Sequence, residues 1–484
     1  MKQTQERPAR QKKKNRNHPG SSTAADFTAP VQKNDVIEAQ VLAQGVGGEG
    51  VVRLQDFPLF INGVLPGEKI RARVVRVNRS HGFARLEEVL VSSSDRVEPP
   101  CPYFGRCGGC DLQHQAYEAQ LAFKTERVKD CFQRIGGLAD PVVEPAIGME
   151  QPWRYRNKVQ MPIGRRDGEV RVGFYRGRSH EIIDIKECLI QNEPSDRIAE
   201  AVRHWIKEHI IPVLDREGEI IPGAVRHLLI REARYTGQML VVLVATSAEV
   251  PHLEELVRDL RLAVPQIRGL VLNLNDAETK RVLGEINHTV WGEAPIEDTI
   301  GDIRYRISPH SFFQVNPEQT RRMYDKVVEL AQPNGDEHVL DLYCGAGTIA
   351  LYLARHAARV TGVEIVREAI ADANYNKTLN NLPQVEFIHG KSEDLIQQLM
   401  TESREPDLVV VDPPRKGCDE SLLQAIGHSG IRRLIYVSCD PATLARDAKI
   451  LCTFGFHPAH IQPYDNFPQT QHVETVVLMS RVNK

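Results

Sequence analysis

No apolar run in this chain approaches the roughly 20 residues that cross a bilayer, so a membrane-spanning role is not expected. The first residues lack the apolar core of a secretory signal, and the cytoplasm is the expected location. There is no excess of positive charge either: 61 Lys and Arg stand against 64 Asp and Glu, a formal net charge of -3. Any nucleic-acid binding must therefore use local patches. The nine cysteines are odd in number and unevenly spread, which speaks against a disulfide framework and for metal or catalytic thiols. What is present, 41% hydrophobic and 26% charged residues over 484 positions, is the composition of a globular protein of roughly three domains.

Residues 1–18 carry Lys2, Arg7, Arg10, Lys12, Lys13, Lys14 and Arg16 against the single acid Glu6. With almost no apolar content, residues 1–30 are expected to form a disordered basic tail, either solubilising or an electrostatic arm for phosphates. Residues 34–93 read as short strands broken by glycines. In Lys69–Val77, the cations Lys69, Arg71 and Arg73 alternate with Ile70, Ala72 and Val74, which puts the charge on one face. A small five-stranded barrel with such a face is a common RNA-binding module. The Gly-rich turn, Pro58 and Leu65-Pro66-Gly67-Glu68 resemble a TRAM domain.

Cys101, Cys107 and Cys110 follow as C-x5-C-x2-C amid Pro and Gly, and Cys188 comes much later. Close thiolates on tight glycine turns suit a metal cluster. Zinc is the main rival, since four thiolates also suit it. The x5 spacing is wide for a zinc ribbon and favours iron–sulfur. Without the close three-cysteine spacing of a radical centre, a structural or RNA-clamping role is expected over a redox one. Within residues 94–305, Trp153-Arg154-Tyr155-Arg156-Asn157-Lys158 and Arg171–Arg178 interleave aromatics with cations. That pattern suits phosphate contacts and base stacking, although an antiparallel sheet with a charged outer face would read the same way. A helix is expected over 113–132 and another over 253–262.

From about Ser308 the pattern turns α/β. His338–Cys344 reads as a strand, Gly345-Ala346-Gly347 as its turn, and Thr348–Ala354 as the helix that follows. The next strand ends in Glu364, placed to accept from ribose hydroxyls. These features alone do not separate S-adenosylmethionine from NAD. The run Leu408–Val411 followed by Asp412-Pro413-Pro414-Arg415-Lys416-Gly417 does discriminate. Methyltransferases place an acid-Pro-Pro segment beside the methyl donor, and Arg415 in place of an aromatic weakens the case for amine methylation. Finally, Ile435–Val437 reads as a buried strand ending near Cys439, at a carboxyl edge where open α/β sheets place their chemistry. A buried structural thiol is the commoner fate of a free cysteine.

Asp412-Pro-Pro-Arg-Lys-Gly417, Tyr436-Val-Ser-Cys439 and Asp465-Asn-Phe-Pro-Gln-Thr-Gln-His-Val-Glu474 together resemble the RNA uracil-5-methyltransferase family. The four-cysteine pattern and TRAM-like start are similar to the branch acting on 23S ribosomal RNA. The resemblance implies a class I, Rossmann-like α/β methyltransferase domain over 306–484. It also implies an N-terminal OB-like (TRAM) barrel and a central, mainly antiparallel β domain bearing an iron–sulfur cluster. It implies Cys439 as nucleophile and Glu474 as base. Gln314, Tyr343, Glu364 and Asp412 would bind S-adenosylmethionine, and Cys101, Cys107, Cys110 and Cys188 would hold a 4Fe–4S cluster. The partner implied is 23S ribosomal RNA, with no membrane, and a monomer is expected. One departure stands out: the family usually has Asn after the nucleophile, and here it is Asp440. A carboxylate there opposes thiolate formation unless it is itself paired. Transfer RNA as substrate, amino-group methylation and a non-catalytic ribosome-binding protein are the rival readings.

Overall fold

The computed structural model describes residues 29–213, 221–277, 281–401 and 405–481. The expected tail over 1–30 lies almost wholly outside the described residues. Among the described residues no helix is long and apolar enough to cross a membrane.

Residues 29–43 and 50–91 form one compact unit, and 44–49 with 92–481 form another. Five of the six strands of the sheet in the first unit lie in the spatial order Val36–Gln40, Lys69–Val77, Gly82–Val91, Phe57–Ile61, Gly50–Leu54, and the two-residue strand Ala43–Gln44 follows the last of these. The chain just past the first strand meets the last: the Leu42 N–H donates to Val51 O at 2.9 Å. The alternation along Lys69–Val77 sends Ile70, Ala72 and Val74 into the core. Its outward cations are met by acids from neighbouring strands. Arg71 pairs with Glu38 at 2.8 Å and Glu88 at 2.6 Å, and Arg73 pairs with Glu87 at 2.6 Å.

The second unit is built on two seven-stranded sheets. One runs Ile286–Gly292, Ile267–Leu274, Met239–Ala245, Val225–Glu232, Lys158–Arg166, Glu169–Tyr175, Ile182–Asp184. It is antiparallel except for the pairing of Met239–Ala245 with Ile267–Leu274. Period-2 alternation divides its side chains between two cores. Leu228, Ile230, Val241 and Leu243 pack under the helices Glu193–Glu208 and Leu253–Ala263. Leu229, Leu240, Val242 and Val271 face the other way, into a core shared with the second sheet.

That second sheet runs Val385–His389, Arg359–Glu364, His338–Leu342, Leu408–Val411, Arg433–Ser438, Glu474–Arg481, Phe456–Tyr464. The first five strands are parallel, and the last two pair antiparallel at one edge. Parallel strands buried on both faces read as continuous apolar runs, and Leu408–Val411 is fully buried. The helix expected over 113–132 spans Tyr117–Arg134. Its buried stripe is Gln120, Lys124, Val128 and Phe132, spaced four apart. Val128 and Phe132 enter an apolar core on this sheet, beside Leu340 and Val409.

Candidate active site

Four parallel strands deliver their ends to one edge. Leu342 lies level with Val363 and Val411, and Val411 level with Tyr436. Glu364, Tyr343 and Asp412 therefore stand side by side where the strands stop. Tyr343 turns the chain with φ +64, a left-handed conformation uncommon for a residue with a side chain. Gly347, at φ +78, permits the close turn that follows; a Cβ there would sit 2.5 Å from Phe387 Cζ. Glu364 accepts from Gly345 N at 3.1 Å and from Val366 N at 2.8 Å, tying the turn to the second strand. The Tyr343 hydroxyl donates to Glu393 at 2.7 Å.

Gln314 reaches this edge from a loop outside the sheet. Its carbonyl accepts from Asn157 Nδ2 at 2.9 Å and its Oε1 from Asn466 Nδ2 at 3.3 Å. Arg231 anchors the same loop by donating to the carbonyls of Pro309 and Ser311.

Cys439 and Glu474 face one another by strand register. Ser438 pairs with Thr475 in the antiparallel ladder, so the next position on each strand brings the thiol opposite the carboxyl. Glu474 is buried at 3% exposure, and Cys439 is half-buried. Burial and the neighbouring Asp412 push the Glu474 carboxyl well above its usual range, while Arg415 and a hydrogen bond from Asn466 oppose that shift. Burial pushes Asp412 up to about 7. Burial, Glu474 and Asp412 push the Cys439 thiol up to about 11, with Arg415 pulling the other way. Asp440 does not confront the sulfur. Its carboxylate caps the helix Pro441–Thr453, accepting from Ala442 N and Thr443 N at 3.0 Å each.

The loop before Glu474 is tied to the helix Tyr117–Arg134 and to the segment after the third cysteine. Lys124 and Asp465 form an ion pair with no exposure of either side chain, and Lys124 also donates to Phe467 O at 3.1 Å. Asp111 N and Leu112 N both donate to Gln469 O, at 2.9 and 3.0 Å. Lys124→Met should leave the Asp465 carboxylate buried and unpaired, at a cost of about 3–5 kcal/mol. A lowered urea midpoint, partly recovered on adding Asp465→Leu, is the expected result.

Cys101, Cys107, Cys110 and Cys188 line one cavity of about 340 Å³, together with Tyr103, Phe104 and others. Burial raises the thiols of Cys107, Cys110 and Cys188. Among the described residues no three His, Cys, Asp or Glu side chains meet the spacing of a site for one metal ion. Four thiol donors around one cavity nonetheless fit the ligand demand of a 4Fe–4S cluster.

Sequence reasoning missed several residues. Asp341, unexposed in its strand, is pushed toward its neutral form by burial and by Asp412 and Glu364. Asn466 was visible only as a letter within the Asp465–Glu474 motif. Lys124 lies on a helical stripe where a cation ordinarily reads as solvated, and only the fold reveals its partner.

A parallel doubly wound sheet with an antiparallel edge pair, glycine turn and acidic strand ends defines the S-adenosylmethionine-dependent methyltransferase fold. Comparison with known proteins narrows this class. A family profile described as tRNA (Uracil-5-)-methyltransferase matches residues 274–482. An uncharacterized RNA methyltransferase of Halalkalibacterium halodurans is 45% identical over 455 residues, covering 94% of this chain and 99% of that one. Another, of Clostridium tetani, is 44% identical over 451 residues, covering 93% and 97%. The crystal structure of Pyrococcus abyssi tRNA (uracil-54, C5)-methyltransferase with S-adenosyl-L-homocysteine matches with a TM-score of 0.75 at 28% identity, covering 91% of this chain and 99% of that one. The chain belongs to the RNA uracil-5-methyltransferase family, and it acts on RNA with S-adenosylmethionine as methyl donor.

Proposed function

We propose that the protein methylates carbon 5 of a uridine in 23S ribosomal RNA through a covalent bond between Cys439 and carbon 6 of the ring. The observation that carries the mechanism is the register that sets Cys439 opposite Glu474, with Asp412 one strand away. Carbon 5 of uracil is a weak nucleophile. Addition of the Cys439 thiolate at carbon 6 turns the ring into an enolate, whose carbon 5 can take a methyl group. S-adenosylmethionine supplies that group as an electrophilic sulfonium, bound by Gln314, Tyr343, Glu364 and Asp412. Carbon 5 then carries both hydrogen and methyl. Glu474 removes the hydrogen as a proton, the carbon 6–sulfur bond breaks, and Cys439 leaves as thiolate. A carboxyl with raised affinity for protons suits that task near neutrality. The target base must leave its stack to reach these groups.

The exposed Arg415 beside the site suits the RNA backbone. Burial pushes His472 down to about 4, helped by Arg415, Arg127, Lys124 and Arg156 around it. Residues 34–93 support a TRAM-like reading through their strand order and the return contact of Leu42 with Val51. The pairs of Arg71 and Arg73 are exposed and screened by solvent, so phosphates can compete for them.

The ribosomal reading draws on the cysteine quartet, with Cys101, Cys107, Cys110 and Cys188 as ligands of a 4Fe–4S cluster of structural role. Protein purified anaerobically should contain iron and sulfide and show thiolate-to-iron absorption. Cys110→Ser should lose most of both; iron-free wild-type protein would remove the assignment. The second reading is transfer RNA, because the solved Pyrococcus relative is named for that substrate. Mapping 5-methyluridine in cells with and without the protein separates the two. Loss of a methyl mark from 23S ribosomal RNA, with transfer RNA unchanged, is the expected outcome. The reverse pattern would transfer the assignment to transfer RNA.

A further inference from the structure

The loop 465–473 joins the strand Phe456–Tyr464 to the strand Glu474–Arg481, and Tyr464 pairs with Glu474 where the ladder ends. A ladder opens from its ends, so the position of Glu474 depends on how firmly that loop is held. Gln469, within the loop, has φ +69, a left-handed conformation that an ordinary side chain keeps only when its surroundings enforce it. Gln469 N donates to Gln120 Oε1 at 3.1 Å, and Gln120 Nε2 donates back to Gln469 Oε1 at 3.0 Å. Gln469 O accepts from Asp111 N and Leu112 N. Gln120 Nε2 also reaches Leu112 O at 3.2 Å and Gln115 O at 2.9 Å. A flipped Gln120 amide would set its oxygen against those three oxygens, so its orientation is fixed. Both side chains are buried, at 1% and 3% exposure.

The far side of these bonds is the cysteine-bearing segment. Asp111 and Leu112 follow Cys110 directly. Cys110 and Cys188 pack with Met149, Tyr155 and Ile190, and the Tyr155 hydroxyl donates to Pro468 O at 3.1 Å. Two separate contacts thus run from the surroundings of the cysteine cavity to the adjacent loop residues Pro468 and Gln469. We propose that Gln120 and Gln469 are positioning residues of the proton-removal step, a buried amide pair through which an iron–sulfur centre held by the four cysteines keeps the loop before Glu474 in one shape. The inference rests on Glu474 and the cysteines having the roles given above. An emptied quartet frees the backbone beside Cys110, and the amides of Asp111 and Leu112 are the first donors to lose their place.

The test is hydrogen exchange read by mass spectrometry on the intact, anaerobically purified protein, with iron measured on the same samples. Stripping iron from wild type with a chelator and ferricyanide should speed exchange in peptides covering 465–474 by about tenfold or more, with Leu408–Val411 unmoved. Gln120→Met, which keeps the bulk of the side chain and removes its hydrogen bonds, should show the same faster exchange while retaining its iron. Stripping that variant should then add no more than about twofold. Its turnover on a transcript bearing the target uridine should fall roughly 10- to 100-fold, with a denaturant-resistant protein–RNA adduct accumulating and S-adenosylhomocysteine affinity within about twofold of wild type. Should Gln120→Met fail to fold, Gln120→Asn, a polar amide too short for Gln469, carries the same expectations. Loop exchange that ignores stripping of iron-loaded protein, faster exchange spread over the whole sheet, or an equal further rise in the variant overturns the proposal. Iron-free protein as purified, or Glu474→Gln trapping no adduct, means that the reading of the metal or of the base has failed first and takes the proposal with it.

Discussion

Cys439→Ala should abolish methyl transfer, by roughly 10⁴-fold or more, while S-adenosylmethionine still binds within severalfold of wild type. The asymmetry follows from where the groups sit. The thiol comes from the end of the strand Arg433–Ser438, whereas Gln314, Tyr343, Glu364 and Asp412 come from other elements. Removing one half-buried sulfur leaves the Asp440 cap on the following helix intact, so the fold at that edge persists. Methyl incorporation from labelled donor, set beside calorimetric titration of the donor, reads both quantities. Appreciable turnover by the alanine variant would rule out a covalent route through this residue. Because burial pushes the thiol up to about 11, its alkylation by iodoacetamide should keep climbing with pH beyond the ordinary thiol range.

Glu474→Gln should have the complementary effect. Glutamine has the shape of the acid and can still hydrogen-bond, but it cannot take the proton from carbon 5. Turnover should fall by about 10²- to 10⁴-fold. In the proposed route addition and methylation precede the blocked step, so protein and RNA should remain joined and migrate together on a denaturing gel. The band should need both S-adenosylmethionine and Cys439, and the double variant with Cys439→Ala should lack it. A variant that turns over slowly without a joined species would place the base elsewhere.

Much of the catalytic half could be read before any coordinates, because its signals are local. Continuous apolar runs gave the buried parallel strands, and the acids that end them needed only the chain order to be placed at one edge. The helix after the third cysteine was likewise periodic enough to find. The pairing that makes the site was not local. Cys439 and Glu474 lie on different strands and meet through an antiparallel register that neither segment encodes alone. The same holds for Lys124 and Asp465, separated by 341 residues. Asp440 was legible as an anomaly, but its innocence was not. Only the helix that starts at Pro441 shows that its charge is spent on two backbone amides. The alternating cations of Lys69–Val77 were read correctly as one face, yet the glutamates that meet them lie on other strands.

Leu229, Leu240, Val242 and Val271 belong to the same apolar cluster as Val339, Ile349 and Val410. A shortened gene product beginning near residue 306 would keep every proposed catalytic side chain and still lose that lining. Its sheet would meet water along a broad oily surface, the condition under which fragments clump rather than fold. Dissection of this enzyme is therefore best done by side-chain replacement in the intact polypeptide, not by excising its methyl-transferring portion.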